Sequence, residues 1–199
     1  MKHKLNLMRD LSMQSDKLRA LLREISTLLV YESLRELPLV ERAVLTRADE
    51  RKFKFVDETA VVFVPILRAG IPMLDGALTV LPRAGVGFLA LKRNEETLEA
   101  ELYYSRLPNL QGKKVLILDP MLATGGTLLR AIEEVMKFFP AETFSIHILC
   151  APEGISKVEK AFPMHTVITA GVDEGLDSRG FIVPGLGDVG DRLFSETEH

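Results

Sequence analysis

The sequence predicts an α/β domain built on a central, mostly parallel sheet flanked by helices. Three observations carry that expectation. Short, nearly continuous apolar runs alternate with stretches of helical periodicity, the pattern of strands buried on both faces. At 199 residues the chain suits one domain with a substantial core. No repeat, low-complexity tract or linker divides it, so a single domain over 1–199 is expected.

In chain order, Leu18, Leu21, Leu22, Ile25, Leu28 and Leu29 recur at helical spacing and continue to Leu34. They predict a helix in an N-terminal arm of about 1–37, with Ser15 or Asp16 as its cap. The runs at 60–66, 86–91, 115–118, 144–149 and 166–169 read as strands, and 70–80, 127–139 and 153–162 as helices. Two segments depart from the alternation. KRNEETLEAELYYSRL at 92–107 is dense in charge and reads as a solvated hairpin or loop, or as a mobile flap (about 93–108) over a site. GFIVPGLGDVGDRLF at 180–194 is glycine-rich and reads as too short for a helix-containing unit, its backbone brought close to something.

Composition narrows the function classes. Hydrophobic residues are 47% and charged residues 27% of the chain, an ordinary globular balance. The net charge of -3 calls for neither nucleic acid nor an anionic membrane. No apolar run approaches the ~20 residues of a membrane span. The N-terminus MKHKLNLMRDLSMQSDKLR lacks the uninterrupted apolar core of a secretory signal, and a cytoplasmic protein is expected. The single cysteine, Cys150, lies in the apolar run IHILCA and reads as buried and inert. His3, His147, His165 and His199 are scattered without metal-ligand spacing.

The chemistry concentrates in VLILDPMLATGGTLLRAIEE at 115–134. A strand ending at Leu118 puts Asp119 at the carboxyl edge of the sheet, where α/β folds bind ligands. The small residues after it let a phosphate approach backbone N–H groups at the N-terminus of the next helix. The hydroxyls of Thr124 and Thr127 add donors, and the helix dipole favours the anion. An acid repels phosphate but accepts hydrogen bonds from a sugar diol. Acid and anion cradle together point to a ribose 5-phosphate, although an ordinary strand-to-helix turn reads much the same way. A nucleotide P-loop is excluded, since G-x-x-x-x-G-K-S/T has no match here. The glycines at 185, 187 and 190 fit G-x-G-x-x-G, yet the nine residues after Gly190 cannot supply a dinucleotide-binding unit.

DPMLATGGT at 119–127 resembles the phosphoribosyl pyrophosphate (PRPP) motif of type I phosphoribosyltransferases, in the form used by the uracil phosphoribosyltransferase family, with Pro120 where most of the superfamily has a second acid. VPILRAG at 64–70, RNEETLE at 93–99, CAPEG at 150–154 and FIVPGLGDVGDRLF at 181–194 resemble the same family in the same order. The resemblance implies the type I phosphoribosyltransferase fold, with a flexible flap and a C-terminal base-binding segment at about 180–194. It implies transfer of phosphoribose from PRPP to uracil, giving UMP and pyrophosphate. It assigns Asp119 to the ribose hydroxyls and Ala123, Thr124, Gly125, Gly126 and Thr127 to the 5-phosphate, with Pro120, Met121 and Leu122 in the same PRPP loop. Arg68 and Arg93 fall on pyrophosphate-gripping positions, which suits their planar, permanently charged donors. Ile182, Gly187, Asp188 and Val189 match the uracil pocket. Asp188 also reaches PRPP through Mg²⁺ or its water shell. The resemblance further implies a homo-oligomer, dimer or tetramer, and leaves a GTP effector open.

The chain departs from the family pattern at Val189 (usually alanine), Phe181 (usually tyrosine), Pro72 (often glycine) and Phe194-Ser195-Glu196 (usually Phe-Gly-Thr). Val189 bears most directly on base fit. Two other readings stay open: a nucleotide-binding regulator on this fold with weak or no catalysis, and a transferase for a related base. No Ser-His-Asp or Cys-His arrangement is present, and glycosidic displacement requires none.

Overall fold

The computed structural model describes residues 1–35, 37, 39–93 and 100–194. Helices α1 (Lys2–Met8) and α2 (Ser15–Ser33) open the chain. Leu18, Leu22, Ile25 and Leu29 of α2 are buried, whereas Leu28 is exposed. The cap differs from expectation. Gln14 holds that position with no side-chain bond, and Asp16 sits in the first turn, where its charge meets the helix dipole. A hairpin follows, β1 (Leu39–Leu45) paired antiparallel with β2 (Glu50–Val56). The alternation of KFKFV at 52–56 has the period of a strand, but both strands are largely exposed, so no continuous apolar run marks the pair.

The main sheet is built from β3 (Val61–Leu67), β4 (Gly85–Val86), β5 (Phe88–Arg93), β6 (Ala100–Arg106), β7 (Lys114–Leu118), β9 (Glu142–His147) and β11 (Thr166–Thr169). Its order is β11-β9-β7-β3-β5-β6, with β4 also on β3. All pairings are parallel except β5 with β6. Helices α3 (Ile71–Val80), α4 (Gly126–Met136) and α5 (Pro152–Ala161) make the crossovers. Alternation along the strands sorts two cores. Val61, Phe63, Leu116 and Leu118 pack with α2 and α3, while Val62, Val64, Val115 and Ile117 pack with α4 and α5.

The expected strand at 144–149 breaks. β9 stops at His147, and β10 (Leu149–Cys150) pairs instead with β8 (Met121–Leu122). The charged segment at 92–107 contributes β6, paired on β5 with a register shift at Ala90/Leu91. Residues 94–99, the centre of the expected flap, lie outside the described residues. A short antiparallel pair, β12 (Gly175–Leu176) and β13 (Ile182–Val183), precedes the C-terminal segment. That segment does contain a helix, α6 (Val189–Phe194), contrary to the expectation from its length. Asp188 Oδ1 accepts the Asp191 N–H at 3.0 Å, and Val189 and Leu193 bury one side. One capped turn anchored by two apolar residues suffices. Among the described residues no helix is long and apolar enough to cross a membrane.

The start of α5 lies hard against the loop after β8. A Cβ on Gly154 would sit 2.3 Å from the Ala123 carbonyl oxygen, which is backbone and cannot rotate away. Gly154→Ala is therefore expected to destabilise the fold by about 1–3 kcal/mol, the usual cost of overpacking. A urea midpoint unchanged from the parent would show that the two segments part without cost.

Candidate active site

Chain topology places a cleft before any side chain is considered. β3 leads through α3 to β5 on one side, and β7 leads through α4 to β9 on the other. The carboxyl ends of β3 and β7 thus flank the point where the winding reverses, the usual ligand site of such sheets. A cleft of about 430 Å³ opens there. Its walls come from Ile66, Leu67, Arg68 and Ala69 after β3, from Asp119, Pro120, Met121, Ala123 and Thr127 after β7, and from Ile182 and Gly187–Asp191 of the C-terminal segment.

Asp119 follows β7 directly, and its N–H donates to the Ile146 carbonyl at 3.2 Å. The residue keeps a partly exposed face in the cleft. Burial nevertheless pushes its carboxyl up to about 7, opposed by a hydrogen bond from the Met121 N–H. Beside it, the buried His147 is pushed down to about 3 by desolvation and stays neutral. Cys150 meets its expectation: it is fully buried, with its thiol pushed up to about 12 by burial.

The segment expected to cradle an anion is a turn into α4. Gly125 caps the helix at φ 82°, a left-handed conformation that side chains disfavour, and Gly126 begins the helix. The first-turn N–H groups have no partner within the helix. Thr127 faces the cleft, whereas Thr124 is exposed beyond its lining. Leu122 is 2% exposed and belongs to the core, so that position offers the loop backbone and no side chain.

Across the cleft, the C-terminal segment is held from outside. Arg9 grips Asp173 with two nitrogens at 2.8 and 2.7 Å and also donates to the Gly185 carbonyl at 3.0 Å. Asp173 in turn accepts the Gly185 N–H at 2.8 Å. The Arg9 guanidinium, chiefly by hydrogen bonding, holds the Asp173 carboxyl below its usual range. Ile182 and Val189 are buried at 5% and 2% exposure, while Gly187 and Asp188 are exposed. Arg68 is exposed at the rim, its guanidinium 5.7 Å from the Phe194 ring centre. Arg93 ends β5, two residues beyond the cleft-lining Leu91. Phe181, within the expected base-binding segment, lines the cleft and stacks with Arg179 at 5.4 Å. Arg179 also lines the cleft and was not expected there; its only advance signal was its place beside the glycine-rich segment.

The ionisable groups set a stability profile. Asp119 is raised from 3.8 to about 7 in the fold, so its burial costs nothing below 3.8 and reaches full cost above 7. His147 and His165 are lowered from 6.5 to about 3 and about 4, so they destabilise as pH falls below 6.5. Asp119→Asn removes the first effect alone. It should stabilise the protein, with the gap from the parent widening between pH 4 and pH 7 toward a ceiling of about 4 kcal/mol. A pH-independent gap in urea unfolding would mean that the carboxyl is not desolvated.

Comparison with known proteins agrees with this geometry. The uracil phosphoribosyltransferase family model matches residues 1–196. A uracil phosphoribosyltransferase of Aquifex aeolicus is 50% identical over 194 residues, covering 98% of this chain and 93% of the relative. One from Kineococcus radiotolerans is 46% identical over 196 residues, covering 96% of this chain and 93% of the relative. A solved structure from Aquifex aeolicus superposes with a TM-score of 0.96 at 49% identity, covering 100% of this chain and 95% of the other. The fold alone is shared with a purine phosphoribosyltransferase from Pyrococcus horikoshii, at 19% identity and a TM-score of 0.53 over 77% of this chain and 84% of that one. With a switch-point cleft that joins an acid, a glycine turn at a helix start and a glycine-rich segment, and with relatives matching along nearly its whole length, the chain belongs to the uracil phosphoribosyltransferase family.

Proposed function

We propose that the protein transfers the 5-phosphoribosyl group of PRPP to uracil, giving UMP and pyrophosphate. The observation that carries this reading is the convergence of three recognition parts in one cleft: Asp119, the Ala123–Thr127 turn and the Ile182/Gly187–Val189 segment. A ribose 5-phosphate spans the first two. Its hydroxyls donate to the Asp119 carboxylate, and its phosphate takes the free N–H groups of α4 together with the Thr127 hydroxyl. The reacting carbon then faces the base segment. The bond from that carbon to the pyrophosphate oxygen breaks, the bond to uracil N1 forms, and the N1 proton is released. Positioning and stabilisation of departing charge are the protein's tasks. Arg68 and Arg93 meet the pyrophosphate, and Asp188 completes the cleft wall.

Magnesium fits this donor set. Among the described residues no three acidic, histidine or cysteine side chains gather as a metal cage. One Asp188 oxygen caps α6, which leaves the other for a metal or its water shell. A cation held mostly by PRPP oxygens needs no more than one or two protein carboxylates. When bound, the metal would offset pyrophosphate charge. A cytoplasmic location and a homo-oligomer, dimer or tetramer, belong to the same proposal. The exposed Leu39, Val40, Leu45, Phe53 and Phe55 of the β1–β2 hairpin support assembly. No residue singles out a GTP effector.

Base choice rests on backbone. The segment has few side chains that hydrogen-bond, so the Gly187–Val189 turn into α6 offers backbone N–H groups instead, that of Asp191 being taken by Asp188. An N–H aimed at the 4-oxygen of uracil meets an amino donor in cytosine, and an unpaired buried donor costs about 1–3 kcal/mol. The alternative of a related base has one specific support, the buried Val189 in the wall.

PRPP-dependent product formation across uracil, cytosine, hypoxanthine and xanthine tests the reading. Uracil should be strongly preferred, and Val189→Ala should alter uracil affinity while keeping the preference over cytosine. Comparable turnover of cytosine would defeat backbone readout. RNA binding without turnover would favour a regulator. A second measurement addresses the acid. kcat/KM for PRPP should rise with pH through about 7 as Asp119 ionises. Asp119→Asn should lose that limb and about tenfold or more in rate, as expected for a charged hydrogen bond worth ~1.5–3 kcal/mol.

A further inference from the structure

We propose that His147 is a positioning residue for the reaction, fixing Asp119 in the cleft through a hydrogen bond from its ring to the Asp119 backbone carbonyl. This rests on the reading of Asp119 as the ribose-binding acid.

The β7–β9 ladder runs in register from Lys114 to Leu118. Leu118 pairs with Ile146, and the Asp119 N–H donates to the Ile146 carbonyl at 3.2 Å. A regular parallel ladder would then return the Ile148 N–H to the Asp119 carbonyl. It does not. The Ile148 N–H reaches one residue further, to the Pro120 carbonyl at 2.9 Å, and the Leu149 N–H converges on the same oxygen at 3.1 Å. The ladder changes phase at the residue whose side chain must face the substrate, and the Asp119 carbonyl loses its strand donor.

His147 supplies the replacement. Its Nδ1 lies 2.7 Å from the Asp119 carbonyl oxygen. A carbonyl only accepts, so Nδ1 carries the hydrogen and Nε2 is a bare acceptor. Nε2 is buried and has no partner among the described residues. A buried polar atom without a partner is a cost that a valine on this strand would avoid. The neighbouring polar groups do not share the task. Thr143 and Ser145, on the same strand face, are bonded to the two His165 nitrogens, each at 2.9 Å. The ring is also kept neutral far below physiological pH, so the bond to Asp119 does not switch with pH near neutrality. Asp119 is thus held on both sides by β9, through its N–H by Ile146 and through its C=O by the His147 ring.

Asparagine and glutamine separate positioning from packing. His147→Asn places an amide N–H near the position of Nδ1, whereas His147→Gln places one near Nε2, out of reach of the carbonyl. His147→Val removes every donor but also leaves a small cavity, which the urea midpoint reports, and it carries the test if the glutamine variant does not fold. Each is made in the parent and in the Asp119→Asn background. KM and kcat for PRPP, KM for uracil and the urea midpoint are measured. The valine and glutamine variants should lose about tenfold in kcat/KM for PRPP, the scale of one buried hydrogen bond. Their KM for uracil should stay within about twofold. The asparagine variant should remain within about threefold of the parent even if it unfolds more readily. In the Asp119→Asn background the same substitutions should add less than about twofold, because they act through the acid.

Losses that follow the urea midpoints, with asparagine and glutamine alike, would reduce His147 to a packing residue. Parent kinetics in His147→Val alongside a crippled Asp119→Asn would overturn this proposal alone. Full activity in Asp119→Asn would overturn the reading of the site and this proposal with it.

Discussion

A carboxyl group kept short of water is the constraint around which the site is arranged. Asp119 lies in the cleft with only part of its surface exposed. Its position is set by β7 on one side and by the bond to Ile146 on the other, with Met121 N–H meeting the carboxyl. The same confinement raises its pKa to about 7. The protein therefore carries at its sheet edge an acid that is destabilising when ionised and empty. Strain of this kind belongs at functional sites, where a ligand relieves it.

The opposite wall has the reverse problem. The base segment contains one short strand and one turn of helix, too little to hold itself in place. Guanidinium groups tie it to the start of the chain. Arg9 joins α1 to Asp173 and Gly185, and Arg192 donates to the carbonyls of Met8 and Leu186 at 2.8 and 2.7 Å and to that of Asp10 at 2.7 Å. These bonds are charge-assisted and mostly part-buried, where they count for more than surface pairs. The N-terminal arm, remote in sequence from every recognition motif, is thereby structurally part of the cleft.

Legibility in the sequence followed burial. The β3 and β7 strands and the three crossover helices appeared within a few residues of their observed ends, because each buries an apolar run or stripe, while β11, only partly buried, was marked by its β-branched run TVIT. Asp119 and the Ala123–Thr127 turn were readable because a strand, an acid and small residues occur in immediate succession. The β1–β2 hairpin was not, although KFKFV at 52–56 alternates, since its exposed strands carry no continuous apolar run. The helix α6 was hidden among glycines, and its cap, Asp188, was read for its chemistry instead. His147 was the deepest omission. A lone histidine in an apolar strand looks like core until the ladder beside it changes phase, and hydrogen-bond phase is a property of two strands together.

The two walls also divide the electrostatics in a way the proposed chemistry can use. Asp119 lies in the cleft, and Arg68 stands at its exposed rim. Positive charge developing on the ribose ring would arise nearer the carboxylate, and negative charge leaving with pyrophosphate would move toward Arg68. Neither group needs to move, so the field is in place before the bond lengthens. That arrangement makes a protein nucleophile unnecessary and a hydrated carboxylate unhelpful, since water around Asp119 would reorganise as the charge formed. The desolvation that weakens the free protein is the same feature that keeps the field fixed, so relieving one would forfeit the other.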